Sequence, residues 1–147
     1  MSSVLPAYRE AVAALAPIMT DLPPVIITID GRDGVGKTSL GRYLAWHFSV
    51  SLVETDLFLM PNQASLVYRY EEIDRIIGIR LDGPRPVILE GVGMRDLLKC
   101  LGRTADFVIY VTNPEQSSGP TMDRLLSHYE ATHSPATTAD IVLELMH

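Results

Sequence analysis

The feature that most constrains this chain is a glycine-rich loop set between a β-branched apolar run and a helix. The run Val25 to Ile29 reads VIITI, and the loop Gly31 to Thr38 reads GRDGVGKT. A continuous β-branched run is typical of a strand that is buried on both faces. Glycines let successive backbone N–H groups turn toward an anion, and the following helix adds the positive end of its dipole. The segment therefore predicts a strand, a phosphate-binding loop and a helix in direct succession.

The residues of this loop fit individual roles. Its spacing, G-x-x-x-x-G-K-[ST], predicts that Lys37 reaches the outer phosphates of ATP and that the Thr38 hydroxyl binds Mg²⁺. The predicted ATP-binding residues are Gly31, Arg32, Asp33, Gly34, Val35, Gly36, Lys37, Thr38 and Ser39. We expect Asp33 to point outward, because its charge would repel phosphate. The alternative is a structural turn with a solvated lysine, which has no need for a Lys-Thr pair at this offset.

Strand and helix patterns alternate along the rest of the chain. Apolar strand patterns cover 50–54, 86–90 and 107–111, helical spacing covers 70–81, 94–101 and 121–132, and 141–145 fits either structure. Residues 57–68 give no clear pattern. This alternation predicts an α/β fold, with a central parallel sheet of about five strands flanked by helices. Because ligands bind beyond the carboxyl ends of such strands, Asp56 and Glu90 are expected to lie near the glycine loop.

Composition limits the class of protein. At 147 residues and 47% apolar content, the chain is predicted to form one domain over 1–147. Twelve Lys and Arg against 18 Asp and Glu give a net charge of −6, and no basic run occurs, so neither nucleic acid nor a membrane is an expected partner. The single cysteine, Cys100, excludes an intrachain disulfide and fits the cytoplasm. The histidines at 47, 128, 133 and 147 share no metal-ligand spacing.

Residues 1–22 are predicted to form an N-terminal helix that packs on the domain. Its apolar face consists of Leu5, Tyr8, Val12, Leu15 and Met19, which recur at steps of three and four. The apolar stretch 11–19 does not fit a signal peptide or a membrane span, because Pro17 interrupts it and the charges of residues 9 and 10 cancel.

Four segments of the chain resemble a known group of proteins. IITIDGRDGVGKTSLGRYLAW, ETDLFL, PVILEGV and ADFVIYV are similar to the nucleoside and nucleotide kinases of the P-loop class, and closest to uridine-kinase-like proteins. The resemblance implies a three-layer P-loop NTPase fold. It also implies that Asp56, in an Asp-x-Phe setting with Phe58, meets the acceptor hydroxyl and that Glu90-Gly91 lies beside metal and substrate. Residues 113–133 correspond to the lid of that family, in which Arg124 is the one arginine.

Phosphoryl transfer explains why these residue types would occur together. The reaction needs positioning, cationic stabilisation and a carboxylate that accepts the proton of the attacking hydroxyl. The predicted catalytic residues are Lys37, Asp56 and Arg124, the metal ligands are Thr38 and Glu90, and the substrate residues are Asp56, Phe58, Tyr68, Arg69 and Glu90. For Asp56 the alternative is a turn cap, for Arg124 a solvated helix residue, and for Tyr68 a core aromatic.

Two functions from different classes agree with these features. The first is an ATP-dependent kinase that acts on a hydroxyl of a small metabolite, such as a nucleoside. The second is a nucleotide-binding regulatory module with little or no phosphoryl transfer. This alternative stays open because the lid-like region contains a single arginine. A GTPase switch is less expected, because the sequence has no Asn-Lys-x-Asp motif.

Overall fold

The computed structural model describes residues 5–145, over which strands and helices alternate as predicted. The strands are Ile26–Gly31 (β1), Ser51–Glu54 (β2), Val87–Gly91 (β3), Phe107–Thr112 (β4) and Ile141–Glu144 (β5). The helices are Leu5–Leu15 (α1), Lys37–Phe48 (α2), Tyr70–Asp82 (α3), Met94–Leu101 (α4), Pro120–His133 (α5) and Pro135–Thr138 (α6), and a 3₁₀ turn spans Thr55–Phe58. Residues 1–4 of the predicted N-terminal helix, and His147, lie outside the described range.

The five strands form one parallel sheet in the order β2-β3-β1-β4-β5. The apolar strand β1 lies at its centre, and all six of its residues are buried. Ile29 of β1 and Glu54 of β2 are the two register partners of Glu90. The carboxyl ends of these three strands therefore meet at one edge of the sheet, which places the glycine loop, Glu90 and the residues after β2 together.

Helices cover both faces of the sheet, and each face has its own hydrophobic core. Leu15 of α1 and Leu44 of α2 belong to the first core, whereas Ile73 and Ile77 of α3 belong to the second. Successive strand residues point to opposite faces, so β1 contributes to both cores. The predicted three-layer arrangement of helices around a parallel sheet is confirmed.

Helix α1 is shorter than predicted, but most of its predicted apolar face packs on the domain, since Leu15 and Met19 are buried in the first core. It ends at Leu15, before Pro17, because proline cannot continue a helix. Its buried residues are Ala7, Ala11 and Leu15, with Tyr8 and Val12 partly buried beside them, while Leu5 is exposed. The small alanines allow α1 to approach the domain closely. Among residues 5–145, no helix combines the length and the apolar character that crossing a membrane requires.

The structure also defines the two segments whose sequence patterns were unclear, residues 57–68 and 141–145. The final stretch is a strand, because Ile141–Glu144 pairs with β4 from Ile109 to Thr112. The segment after β2 contains the 3₁₀ turn and then a small hairpin, in which Leu59 and Tyr68 form an antiparallel bridge.

Candidate active site

The glycine loop joins β1 to α2 at the carboxyl edge of the sheet. Gly34 and Gly36 have φ angles of 74° and 107°, in the left-handed region that residues with a side chain rarely adopt. Gly36 is also the N-cap of α2. The first N–H groups of a helix have no partner within the helix, so this end offers donors and a positive dipole to an anion. The geometry of the loop therefore fits a phosphate group.

A cavity of about 230 Å³ opens beside this loop, and we call it the phosphate cavity. Its lining consists of Gly34, Gly36, Lys37, Thr38, Ser39, Asp56 and Glu90. Side chains from α2, from the turn after β2 and from β3 thus meet in one place.

Lys37 is the basic side chain of the phosphate cavity. It is buried, and its ammonium group donates a hydrogen bond to the carbonyl oxygen of Arg32. Burial lowers the pKa of Lys37, and the neighbouring charges of Asp56 and Glu90 oppose that shift. A triphosphate in this cavity would offer Lys37 stronger acceptors than a backbone carbonyl.

Thr38 and Glu90 form an oxygen pair that fits Mg²⁺. The Thr38 hydroxyl donates to Glu90 Oε2 at 2.7 Å, so the lone pairs of that hydroxyl remain available for a metal. Glu90 is buried, and within residues 5–145 its Oε1 atom has no hydrogen-bond partner. Burial raises the pKa of Glu90, which the bond from Thr38 partly offsets. Mg²⁺ is commonly held by one or two side-chain oxygens together with phosphate oxygens and waters.

The same part of the chain contains no group of three or more His, Cys, Asp and Glu side chains that could hold a metal by itself.

Asp56 lies in the 3₁₀ turn that follows β2. The turn is tied to β3, because the Thr55 hydroxyl donates to the backbone oxygen of Glu90 at 2.8 Å. The Asp56 carboxylate reaches solvent, yet desolvation by the surrounding protein raises its pKa, while the charge of Lys37 lowers it in part. A carboxylate that opens onto the cavity and has a raised pKa can accept a proton from a hydroxyl group.

Three side chains of the predicted ATP-binding set are directed away from the phosphate cavity. The Arg32 guanidinium pairs with Asp123 and Glu130 of α5 at 2.7 and 2.8 Å. Asp33 points outward, as expected, and accepts a hydrogen bond from Ser118 at 2.5 Å. Val35 is buried in the first core. These three residues can contribute only their backbone to phosphate binding.

The contacts of Arg32 and Asp33 were not predicted from the sequence. They hold the lid-like residues 113–133 against the loop, and the Gln116 side chain lies where a Cβ atom on Gly34 would be. The partners are about a hundred residues apart, so no local spacing indicates them.

The predicted substrate residues Phe58, Tyr68 and Arg69 do not line the phosphate cavity. Tyr68 is buried in the second core, and its hydroxyl donates to the backbone oxygen of Val92. Phe58 packs against the same core, and Arg69 is the exposed N-cap of α3. Tyr68 therefore packs in the core, and its assignment as a substrate contact stays a prediction.

Arg124 lies on α5 and lines a different, larger cavity of about 930 Å³, which we call the large cavity. Its walls come from residues 64–67 of the hairpin, α3, α4 and α5. The arginine does not line the phosphate cavity.

Asp30, the residue before the glycine loop, was missed by the sequence interpretation. It is fully buried and accepts hydrogen bonds from the Tyr129 hydroxyl at 2.5 Å and from the Gly31 N–H at 2.9 Å. Burial raises its pKa. An acidic residue at the end of a buried strand was the available signal.

Comparison with known proteins yields matches in structure alone. No protein-family model matches the chain, and no curated protein matches it in sequence. The fold resembles a possible uridine kinase from Bacillus stearothermophilus, with a TM-score of 0.62 and 16% identity over 92% of this chain and 98% of that one. A shikimate kinase from Acinetobacter baumannii has a TM-score of 0.50 and 15% identity, over 88% of this chain and 87% of that one.

A gluconokinase from Sinorhizobium meliloti 1021 also has a TM-score of 0.50, with 17% identity over 84% of this chain and 82% of that one. At these identities the similarity concerns the fold and not the substrate. The five-stranded parallel sheet flanked by helices agrees with these matches. The chain therefore has the fold of the P-loop kinases.

Proposed function

We propose that this protein is an ATP-dependent phosphotransferase that moves the γ-phosphate of ATP to a hydroxyl of a small metabolite. The observation that most supports this function is the composition of the phosphate cavity. It combines a glycine loop at a helix N-terminus with Lys37, the Thr38–Glu90 oxygen pair and Asp56. A purely structural turn would need none of these side chains.

Each residue has one role in the proposed reaction. Bound Mg·ATP supplies the phosphoryl group. The loop N–H groups and Lys37 hold the phosphates, and Thr38 with Glu90 Oε1 holds the metal. Asp56 orients the acceptor hydroxyl and takes its proton as the oxygen gains the phosphoryl group, which leaves ADP. Residues 113–133 form the part of this single domain that covers the loop.

A second function is supported by one specific observation. Lys37 is the sole basic side chain among the described residues that line the phosphate cavity. A transferring enzyme gains from several cations around the phosphoryl group. A nucleotide-binding regulatory module with little or no transfer therefore remains the second candidate.

A substrate screen tests both candidates. The protein is incubated with Mg·ATP and a panel of nucleosides, sugars and hydroxy acids that includes uridine, shikimate and gluconate, and ADP release is compared with the substrate-free rate. The kinase proposal expects release that depends on one class of acceptor. ATP binding without any acceptor-dependent release would contradict it and support the regulatory module.

A further inference from the structure

We propose that the large cavity binds the phosphate acceptor, and that this acceptor has an anionic group, a carboxylate or a phosphate, which pairs with Lys99 and Arg124. The inference rests on the proposed kinase function, since it names the acceptor class for that reaction. At about 930 Å³ the cavity has the size of a small-molecule site, for which roughly 300–1,000 Å³ is usual. Apolar side chains such as Leu66 and Leu125 form much of its wall.

The large cavity lies at the same edge of the sheet as the phosphate cavity. On one side its wall is Tyr129, whose hydroxyl binds Asp30, the residue directly before the glycine loop. On the other side its wall is the hairpin that follows the turn containing Asp56. The two cavities have no lining residue in common, so the proposal requires an acceptor long enough to reach from the large cavity to Asp56.

The charged lining of the large cavity favours an anion. Lys99 comes from α4 and Arg124 from α5, and His128 is a third basic group in the lining. Within residues 5–145, neither the Lys99 nor the Arg124 side chain makes an ion pair or a hydrogen bond. The acidic residue of the lining, Asp96, is hydrogen-bonded to the His133 ring at 2.5 Å, and its single negative charge is outnumbered by those of Lys99 and Arg124. This local excess of positive charge contrasts with the net charge of −6 of the whole chain.

Lys99 also lines a smaller cavity of about 210 Å³ together with Arg95, Asp30 and Arg103, the last of which is paired with Asp74. Among the described residues, the buried Nε and Nη2 atoms of Arg95 have no hydrogen-bond partner. Buried cationic donors without acceptors are costly, and an anionic ligand near Lys99 would offset that cost.

The chain contains a built-in reporter for this cavity. Cys100 is its single cysteine, is exposed, and lines the large cavity next to Lys99. Its reaction rate is measured with a dianionic disulfide, dithiobis(nitrobenzoate), and with a neutral one, dithiodipyridine. The same thiolate attacks both reagents, so the ratio of the two rates does not depend on the thiol pKa. Mercaptoethanol gives the ratio for a free thiol.

We expect the ratio at Cys100 to exceed that of mercaptoethanol by about tenfold, and to fall about threefold or more in both Lys99→Gln and Arg124→Gln. Arg85→Gln removes the same charge from an exposed site outside this lining and serves as the control. A ratio equal to that of the free thiol, or one that Arg85→Gln changes as much as Lys99→Gln does, would overturn the inference.

The acceptor screen supplies a second, separate readout. For an acceptor with turnover, Lys99→Gln should raise KM much more than Arg85→Gln does, and replacing the acid group of the acceptor by an amide should have the same effect in the unmodified protein. A phosphate-bearing and a carboxylate-bearing acceptor of one carbon skeleton then identify which anion is bound.

Turnover confined to uncharged acceptors would refute the inference while supporting the kinase function. An anion-selective Cys100 without turnover of any acceptor would contradict the kinase function, and with it the identification of the anion as a phosphate acceptor, while the anion site itself would stand.

Discussion

Single carboxylates at the strand ends decide what the phosphate cavity can do, and Asp56 is the one with an assigned proton-transfer role. We predict that Asp56→Asn lowers kcat by a factor on the order of 10² to 10⁴, since an amide cannot accept the proton, while the Kd for ATP changes little. Lys37→Ala should weaken both binding and transfer. Single-turnover kinetics and ATP titration measure the two effects, and Asp82→Asn on the exposed end of α3 is the matched control. Unchanged turnover in Asp56→Asn would remove Asp56 as the base.

Asp30 is a second carboxylate whose burial has a measurable consequence. Its pKa is raised above the ordinary value of 3.8, so its ionised form is less favourable in the folded protein than in the unfolded chain. Its contribution to stability is therefore fully present below pH 3.8 and is lost as the pH rises through the raised folded value. We predict that Asp30→Asn removes this loss, so that denaturant titrations show a flatter pH dependence than in the unmodified protein.

Tyr129→Phe should have the opposite effect to Asp30→Asn on the pH dependence of stability. It removes the hydrogen bond that lowers the pKa of Asp30, so the loss of stability should extend to higher pH. An Asp30→Asn variant with the pH dependence of the unmodified protein would contradict the prediction.

At the scale of elements, α5 is attached to the glycine loop through Arg32. Glu130 accepts two hydrogen bonds from this guanidinium, at 2.9 and 2.8 Å, and is less exposed than Asp123, which accepts one. We predict a coupling free energy of about 1 kcal/mol for the pair Arg32–Glu130, and a smaller one for Arg32–Asp123. Double-mutant cycles with Arg32→Gln, Glu130→Gln and Asp123→Asn in urea unfolding measure both. Equal or zero coupling in the two cycles would show that the paired geometry does not hold α5.

The elements also show which features the sequence could predict. The glycine loop and the apolar strands follow from local spacing, and so do the positions of Asp56 and Glu90, because parallel strands place their carboxyl ends at one edge. The end of α1 also has a local signal in Pro17, whereas the strand identity of 141–145 and the packing role of Tyr68 depend on tertiary contacts. The partners of Arg32 and Asp30 lie about a hundred residues away along the chain. The spacing of apolar residues within one element does not predict such long-range pairs. The location of Arg124 depends on how α5 packs, which its sequence does not specify.

At the scale of the whole molecule, two cores share one sheet, and this arrangement bears on whether the chain unfolds as a unit. Leu44 is fully buried in the first core and Ile77 in the second, while β1 and β3 contribute residues to both. Truncating either residue to alanine should lower the free energy of unfolding by about 2–5 kcal/mol. Leu57→Ala and Ile79→Ala, at exposed positions, are matched controls that should change it by about 0.5 kcal/mol or less.

If the sheet couples the two cores, a substitution that destabilises one core should also lower the hydrogen-exchange protection of the other. We predict that Leu44→Ala lowers the hydrogen-exchange protection of the slowest amides in α3 by the same free energy that urea unfolding reports for the whole protein. Ile77→Ala should do the same for α2, on the other face of the sheet. Amides of α3 that keep their original protection in Leu44→Ala would mean that each helical layer opens separately. The chain would then consist of two cooperative units on one sheet, and not the single domain that its length predicts.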